Sequence, residues 1–291
     1  MLRVLVTGAS SPLGEAVCRS LRRRRAHVTG TVRRARAGWS SPDVDDILTL
    51  DLEDRGDFGA IRGGFDAVIH VAAASEGTPE ELMSSSGLGT WRLLDRAERV
   101  GLRRVVHVSS MAVYGRITTP TVSAHTPVSH SIAYGAAKWA AECYLAERQD
   151  VIRSASVRSP AIAGARTHRH FLARTLRAMQ LDEPVIRVAN PDFMFNNIVH
   201  EDTLADFLVH LAEHTPTPYT AVPVGSTEPM SLRSIVEILA STVGYRGRIE
   251  WVSATSQPFA IDSSDAVALG YQPLTTRETV DRWMADVSRT R

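Results

Sequence analysis

Three side chains in the middle of the chain could together move a proton on or off an alcohol or carbonyl oxygen. Tyr134 and Lys138 stand four residues apart in an alanine-rich stretch that predicts a helix, which would place both on one face. An ammonium group beside a phenol lowers the pKa of the phenol, because it stabilises the phenolate. Ser110 ends an apolar strand pattern earlier in the chain, and its hydroxyl could hold a substrate oxygen. The three residues therefore predict general acid–base catalysis.

A strand, a glycine turn and a helix open the chain in the order that a dinucleotide-binding loop requires. Residues 1–7 form an apolar strand pattern and residues 15–25 a helical pattern. Between them, Gly8 permits a tight turn and Gly14 lets the helix pack closely on the strand. The N–H groups at the helix start favour the negative charge of a pyrophosphate. We expect the loop to bind a nicotinamide dinucleotide through Gly8, Ser10, Ser11, Pro12, Leu13 and Gly14.

A series of short segments follows in an order and at spacings that are typical of one enzyme family. The segments are Val6-Thr7-Gly8-Ala9, Asp51-Leu52, Asp66 to Ala73, Val108 to Gly115, Tyr134 to Lys138, Arg158-Ser159-Pro160, Val199 to Asp202 and Leu269 to Pro273. Through them the chain resembles an extended short-chain dehydrogenase/reductase of the NAD-dependent epimerase/dehydratase family. The resemblance implies that Tyr134 and Lys138 are the catalytic YxxxK pair and that Ser110 is the active-site hydroxyl.

The same resemblance implies a second set of cofactor contacts at the ends of later strands. Asp51 and Leu52 would flank the adenine, and the segment after Arg158 would lie beside the nicotinamide. The full set of contacts implied outside the glycine loop is Asp51, Leu52, Val71, Ala72, Ala73, Tyr134, Lys138, Pro160, Ala161 and Ile162.

The end of the second predicted strand bears on which nicotinamide cofactor is bound. Arg33 and Arg34 stand there, and no Asp or Glu lies between residues 27 and 42. An acidic residue at this point would accept a hydrogen bond from a free ribose 2′-hydroxyl, whereas an arginine pairs with a 2′-phosphate. We therefore expect NADP as the cofactor, with NAD less favoured. The alternative is that both arginines are solvated surface cations.

Five departures from the family pattern bear on the cofactor loop and the substrate. Ser11 replaces a glycine of the cofactor loop, and Ser86 replaces an asparagine in the helix after the fourth strand. Sugar-nucleotide members often carry an asparagine and an arginine where this chain has Ala161 and Asn196. Met111-Ala112 stand where dehydratase members carry an Asp-Glu pair and some epimerases a cysteine. The departures at Ala161 and Asn196 weaken a sugar-nucleotide assignment.

We predict an NADP-dependent oxidoreductase that interconverts a ketone and a secondary alcohol by hydride transfer. Two alternatives stay open. One is a nucleotide-sugar epimerase or 4-ketoreductase with tightly bound NAD(P), and the other is a non-catalytic NADP-sensing protein. The basic run from Arg166 to His170 faces the expected substrate side and could hold a carboxylate or a phosphate, although such runs are often only mobile polar loops.

Alternating strand and helix patterns predict the α/β class. We expect a doubly wound parallel sheet of the Rossmann type with a smaller C-terminal substrate-binding lobe. Strands are predicted near 2–7, 26–32, 46–50, 66–71 and 104–109, and helices near 12–25, 79–100 and 134–149. The dinucleotide-binding domain would comprise 1–164 and 193–225, and the lobe 165–192 and 226–291. His107 and His200 are predicted to be core histidines rather than bases.

Composition argues against several other classes of protein. A net charge of +1 gives no attraction to nucleic acid. Cys18 and Cys143 lie in helical patterns, which favours apolar packing over a disulfide or a metal site. With neither a membrane-length apolar run nor a signal peptide, we expect a cytoplasmic protein without membrane contact. The expected partners are a small carbonyl or alcohol substrate and, from the resemblance, a second copy of the chain.

Overall fold

The structure is a computed structural model of the 291-residue chain, and it describes residues 1–36, 38–129, 132–253 and 257–289. The strands are β1 Arg3–Thr7, β2 His27–Val32, β3 Asp46–Thr49, β4 Ala67–His70, β5 Arg104–Ser110, β6 Thr121–Val122, β7 Arg153–Ser159, β8 Ala161–Ala163, β9 Val185–Ala189, β10 Met194–Phe195, β11 Ile198–His200, β12 Thr220–Pro223, β13 Met230–Ser231, β14 Arg248–Val252 and β15 Ala260–Ile261. The helices are α1 Pro12–Arg23, α2 Pro79–Leu82, α3 Thr90–Arg99, α4 Ala133–Glu147, α5 Phe171–Gln180, α6 Glu201–Glu213, α7 Leu232–Val243, α8 Ser264–Ala268 and α9 Thr276–Arg289. A π-helical stretch, Met83–Gly89, joins α2 to α3.

A seven-stranded parallel sheet in the order β12-β7-β5-β4-β1-β2-β3 forms the centre of the molecule. Alternate residues of each strand face opposite sides of the sheet. Val4 and Val6 of β1 therefore pack with α1 and α6, whereas Leu5 packs with α3 and α4 on the other side. Because both faces are covered, the strands are apolar along nearly their whole length. The predicted doubly wound α/β fold is confirmed, and the predicted strands and helices lie within a few residues of the observed ones.

A second apolar core lies in the C-terminal part of the chain. It is formed by α5, α7, α9 and β9 and contains Trp283, which is fully buried. Residues 182–195 are rich in turn-forming residues, yet they contain β9, which pairs in parallel with β14. β9 depends on a partner strand about sixty residues later, so the local sequence carries little signal for it.

Three further findings concern the described part of the chain. No helix in the described part of the chain is both long and apolar enough to cross a membrane. In those same residues, no group of three or more His, Cys, Asp and Glu side chains is arranged to hold a metal ion. Cys18 and Cys143 are both free thiols.

Candidate active site

The predicted catalytic residues meet where the end of β5 lies against the first turns of α4. The Ser110 hydroxyl hydrogen-bonds to the Tyr134 phenol, and Ser110 Oγ also accepts from the Ala112 backbone N–H at 3.1 Å. One turn further along α4, Lys138 Nζ donates to the carbonyl oxygen of Val108 at 2.7 Å. The structure therefore brings together the three side chains that the sequence predicted to act together.

Close approach of α4 to the turn after β5 depends on a glycine inside the tyrosine–lysine motif. A Cβ atom added to Gly135 would overlap the carbonyl oxygen of Ala112. Any side chain at this position would push the helix away from the serine turn. Gly135 therefore sets the separation between Tyr134 and Ser110, a role that the sequence analysis missed.

Burial dominates the protonation of Tyr134 and Lys138, the two predicted catalytic groups on α4. Burial raises the pKa of Tyr134, whereas the hydrogen bond from Ser110 and the charge of Arg169 lower it. Burial also lowers the pKa of Lys138 to about 8, and the carboxylate of Glu142 opposes that shift. The sequence predicted Lys138 as the cation that lowers the pKa of Tyr134. In this structure that cation is Arg169, because the Lys138 ammonium is directed to a backbone carbonyl.

Two buried histidines lie on the sheet face below α4. His70 Nδ1 lies 2.7 Å from Thr7 Oγ1, and His70 Nε2 lies 2.9 Å from Thr90 Oγ1. Burial and the Lys138 charge lower the pKa of His70 to about 3, so its ring is neutral. His107 Nδ1 lies 3.1 Å from Ser156 Oγ, and burial lowers its pKa too. The prediction that His107 is a hydrogen-bonded core residue is confirmed.

The glycine loop has the geometry expected of a dinucleotide cradle. Gly8 has a φ of +66°, and a Cβ there would lie 3.0 Å from the Cα of Ala72, at the end of β4. A Cβ on Gly14 would overlap the carbonyl oxygen of Gly8. Ser11 has ordinary extended backbone angles, and its hydroxyl accepts from the Gly14 N–H at 3.1 Å. Serine at this position is therefore the N-cap of α1, which accounts for the departure from glycine.

The other predicted cofactor contacts gather at the same edge of the sheet. The carboxyl ends of parallel strands meet at one edge, so the predicted residues after β1, β4 and β7 become neighbours. Thr7 Oγ1 accepts from the N–H groups of Val71 and Ala72, each at 3.1 Å, and so holds the loop after β4 beside Gly8. Residues 160–162 join β7 to β8.

The two arginines after β2 differ in their surroundings. Arg34 donates to Asp54 at 2.9 Å and to Asp57 at 2.7 Å, although its side chain is two-thirds exposed. Arg33 is exposed and, among the described residues, has no carboxylate partner. Asp51 Oδ1 accepts from the Glu53 N–H, which fixes the turn that follows β3. Arg34 is therefore an exposed cation that is paired with two carboxylates, whereas Arg33 has no such pairing among the described residues.

Part of the basic run from Arg166 to His170 lies against the candidate site. Arg169 bonds to the Ser75 hydroxyl, its Nε lies 3.8 Å from Glu76 Oε1, and its charge acts on Tyr134. Arg166 pairs instead with Glu15 of α1 at 2.5 Å. His170 is the N-cap of α5, and burial lowers its pKa to about 4. The run therefore contributes Arg169 to the mouth of the site.

Two departures from the family pattern have structural explanations. Ser86 donates to the carbonyl oxygen of Ala74 at 2.7 Å and so supports the loop after β4. The Asn196 amide is buried and fully engaged, because Nδ2 donates to the carbonyl oxygens of Ser226 and Ile261 and Oδ1 accepts from the Ile261 N–H. Asn196 therefore offers no free polar atom to a diphosphate.

A buried ion pair below the site was not predicted from the sequence. Arg158 of β7 donates to Glu142 of α4 through Nη2 at 2.7 Å and through Nε at 3.1 Å. Its guanidinium lies 4.9 Å from the centre of the Tyr114 ring, and its Nη1 donates to the Tyr114 hydroxyl. Glu142 stands four residues after Lys138, the same spacing that links Lys138 to Tyr134. That repeated spacing is the sequence signal that could have identified it.

Comparisons with known proteins agree with this architecture. A model of the NAD dependent epimerase/dehydratase family matches residues 4–222. The protein y4nG of Sinorhizobium fredii is 28% identical over 277 residues, which cover 93% of this chain and 67% of y4nG. Uronate dehydrogenase of Pseudomonas syringae pv. tomato is 30% identical over 138 residues, 47% of this chain and 50% of that protein. The structure of MoeE5 in complex with UDP-glucose and NAD is similar in fold, with a TM-score of 0.82, 23% identity and 99% of each chain covered.

Proposed function

Because the chain belongs to the NAD-dependent epimerase/dehydratase family and is an enzyme of the extended short-chain dehydrogenase type, we propose that it interconverts a ketone and a secondary alcohol with NADP(H). The observation that carries the proposal is the contact of Ser110 with Tyr134, one helical turn from the buried Lys138. These groups lie at the strand edge that also holds the glycine loop. The same three groups support catalysis rather than cofactor sensing alone.

The roles of the three side chains follow from their positions. A Tyr134 phenol with a raised pKa is protonated at neutral pH, so it can donate a proton to a carbonyl oxygen. Ser110 would hold that oxygen within reach of the phenol. The charge of Arg169 would stabilise the phenolate that remains, and the Lys138 ammonium, one turn along α4, could hydrogen-bond to the nicotinamide ribose. The Gly8 cradle, where a Cβ would crowd Ala72, fits a dinucleotide, and the nicotinamide supplies the hydride when bound.

The preference for NADP is proposed from Arg33. Arg33→Ala should weaken NADPH binding at least about tenfold, because a charge-assisted hydrogen bond to the 2′-phosphate contributes roughly 1.5–3 kcal/mol. NADH binding should change little. Arg34→Ala should have a smaller effect, because Asp54 and Asp57 already hold Arg34. Fluorescence titration of both cofactors measures these changes, with Arg177→Ala, at an exposed position on α5, as the control. Equal losses for the two cofactors in Arg33→Ala would contradict the prediction.

We propose a small hydroxy or oxo acid as the substrate. Arg169 is half exposed at the mouth of the site and close enough for its charge to act on Tyr134, so it could bind a carboxylate of the substrate. The relative named uronate dehydrogenase supports a substrate that carries a carboxylate. The MoeE5 complex with UDP-glucose supports the alternative, a nucleotide-sugar epimerase or 4-ketoreductase with tightly bound NAD(P). The engaged Asn196 amide favours the smaller substrate.

The substrate proposal is tested by turnover and calorimetry together. Uronic and other hydroxy acids should be oxidised with NADP, and Arg169→Ala should raise KM at least about tenfold while Arg177→Ala, at an exposed position on α5, leaves it unchanged. UDP and dTDP should bind more weakly than the micromolar range, about −8 kcal/mol. Micromolar binding of either nucleotide would support the epimerase or sugar-ketoreductase instead.

The homodimer and the two-lobe division stay predictions. Met83, Leu88 and Trp91 lie on the helical stretch between residues 79 and 99 and expose about two-fifths of their surface. Exposed large apolar side chains on that stretch support a packing partner there. The core that contains Trp283 supports a separate lobe, although Ala266 and Tyr271, assigned to the lobe, pack in the core of the sheet.

A further inference from the structure

Three neighbouring residues of β5 are bonded to three successive turns of α4. Ser110 bonds to Tyr134, the Val108 carbonyl accepts from Lys138, and Ser109 Oγ donates to Glu142 Oε1 at 2.5 Å. The first two contacts involve the predicted catalytic groups. The third involves a carboxylate that none of the proposed catalytic steps uses.

We infer that Glu142 is a positioning residue that fixes α4 against β5 and serves as the counter-charge of Lys138. The inference rests on the proposed function only where it concerns turnover. The charge pairing itself can be tested without any substrate.

The contacts of Glu142 explain how it fixes the helix. Its carboxylate is 4% exposed, and it accepts from Ser109 and from two nitrogens of Arg158. Arg158 belongs to β7, the strand next to β5. The carboxylate is therefore held by two adjacent strands, so α4 cannot slide along the sheet without breaking these bonds. Because Ser109 precedes Ser110, the same bonds hold Tyr134 opposite Ser110.

The groups around Lys138 explain why a counter-charge is needed. Lys138 is 1% exposed, and burial of an unpaired ammonium favours its neutral form. His70 of β4 and His107 of β5 face it, but their pKa values are lowered and both rings are neutral. Tyr134, on its own helix, is protonated at neutral pH. The carboxylate of Glu142, one turn along α4 and paired with Arg158, is the charge that favours the ammonium.

The sign of the expected pH effect follows from these charges. Lys138 is an ammonium below its pKa and a neutral amine above it, and its pKa is about 8 with Glu142 in place. When the Glu142 carboxylate is removed, nothing opposes the effect of burial, so the pKa of Lys138 falls further. A reaction that needs the ammonium would then be lost at a lower pH than in the wild type.

Lys138 is the only lysine of the chain, which permits a direct measurement. The full-length protein, grown on isotope-labelled lysine, should give a single side-chain NMR signal whose shift reports the charge of Lys138. In Glu142→Gln we expect the midpoint of this titration to fall by about one pH unit, a tenfold change in the acid dissociation constant. Glu147→Gln, which removes an exposed carboxylate from the same helix, should leave the midpoint unchanged. An unchanged midpoint in Glu142→Gln would overturn the inference.

Turnover then tests the positioning role. In Glu142→Gln, the alkaline limb of the pH profile of kcat should move to lower pH together with the Lys138 midpoint. KM and the affinity for NADPH should stay unchanged. Glu142→Asp, which keeps the charge, should keep the limb near its wild-type position. If kcat fell equally at every pH and the alkaline limb did not move, Glu142 would have a structural role only and would not act through the charge of Lys138. If Lys138→Met left turnover unchanged, the proposed function would fail, whereas the NMR result would still decide the charge pairing.

A second variant covers the case in which Glu142→Gln does not fold, since that change leaves Arg158 without its carboxylate. Glu142→Gln combined with Arg158→Gln removes both charges. The lysine midpoint should again fall, because Glu142 is the charged group that acts on Lys138. A midpoint at or above the wild-type value in the double variant would contradict the inference.

Discussion

Tyr134→Phe is expected to lower turnover at least about 10²-fold while NADP(H) still binds. In the proposed mechanism the Tyr134 phenol, which lies beside Ser110, is the proton donor, and phenylalanine fills the same space without the hydroxyl. The loss should therefore be in kcat rather than in folding or cofactor affinity. The absorbance of NADPH gives the rate, and fluorescence titration gives the binding constant.

Tyr271→Phe is the matched control for this variant. Tyr271 is also buried, and its hydroxyl donates to the carbonyl oxygen of Gly225, in a part of the chain that supplies none of the predicted site residues. It should lose about 1 kcal/mol of stability and keep its turnover. If Tyr134→Phe kept normal turnover, Tyr134 would have no part in the mechanism and the proposed function would fall with it.

Arg158→Met is expected to lower the free energy of unfolding by about 3–5 kcal/mol, because it leaves the Glu142 carboxylate buried without its cation. Arg158 makes two close hydrogen bonds to that carboxylate and covers the Tyr114 ring, and methionine replaces neither interaction. Urea denaturation followed by circular dichroism measures the change. Arg177→Met, at an exposed position on α5, should stay within about 0.5 kcal/mol of the wild type.

A double variant separates the cost of the unpaired charge from the cost of lost packing. Arg158→Met combined with Glu142→Leu replaces both charges by apolar groups, which is often neutral for a buried pair. Most of the lost stability should therefore return, while turnover should stay low because Glu142 is gone. If Arg158→Met alone lowered the free energy of unfolding by less than about 1 kcal/mol, water or a bound proton would be stabilising the Glu142 carboxylate in place of Arg158.

Much of this protein was determined by sequence patterns that operate over short distances. The alternation of apolar strands and amphipathic helices fixed the α/β class and located β1 to β5 within a few residues. The four-residue spacing of Tyr134 and Lys138 placed them on one helix face, and Gly8 and Gly14 marked a close turn. These features depend on the backbone period and on residues adjacent in the chain, so they can be recognised before any tertiary contact is known.

The polar side of β7 illustrates where such patterns stop. The buried side of β7 that faces α4 carries Ser154, Ser156 and Arg158, which alternate with apolar residues. Because these inward-facing side chains are polar, the sequence of β7 does not show the apolar run that predicts a buried strand. Ser156 and Arg158 are tolerated inside because partners from other strands and helices satisfy them, as His107 satisfies Ser156 and Glu142 satisfies Arg158. No local rule shows that those partners exist.

Only the tertiary structure decided which charges act on the candidate site. The sequence placed Lys138 beside Tyr134 and treated Arg33 and Arg34 as equivalent. Folding directs Lys138 to a strand carbonyl, brings Arg169 from a later loop close to Tyr134 and pairs Arg34 with carboxylates that follow β3. Coulomb interactions and burial depend on distance in space, and residues far apart along the chain become neighbours only when the sheet and its helices have assembled.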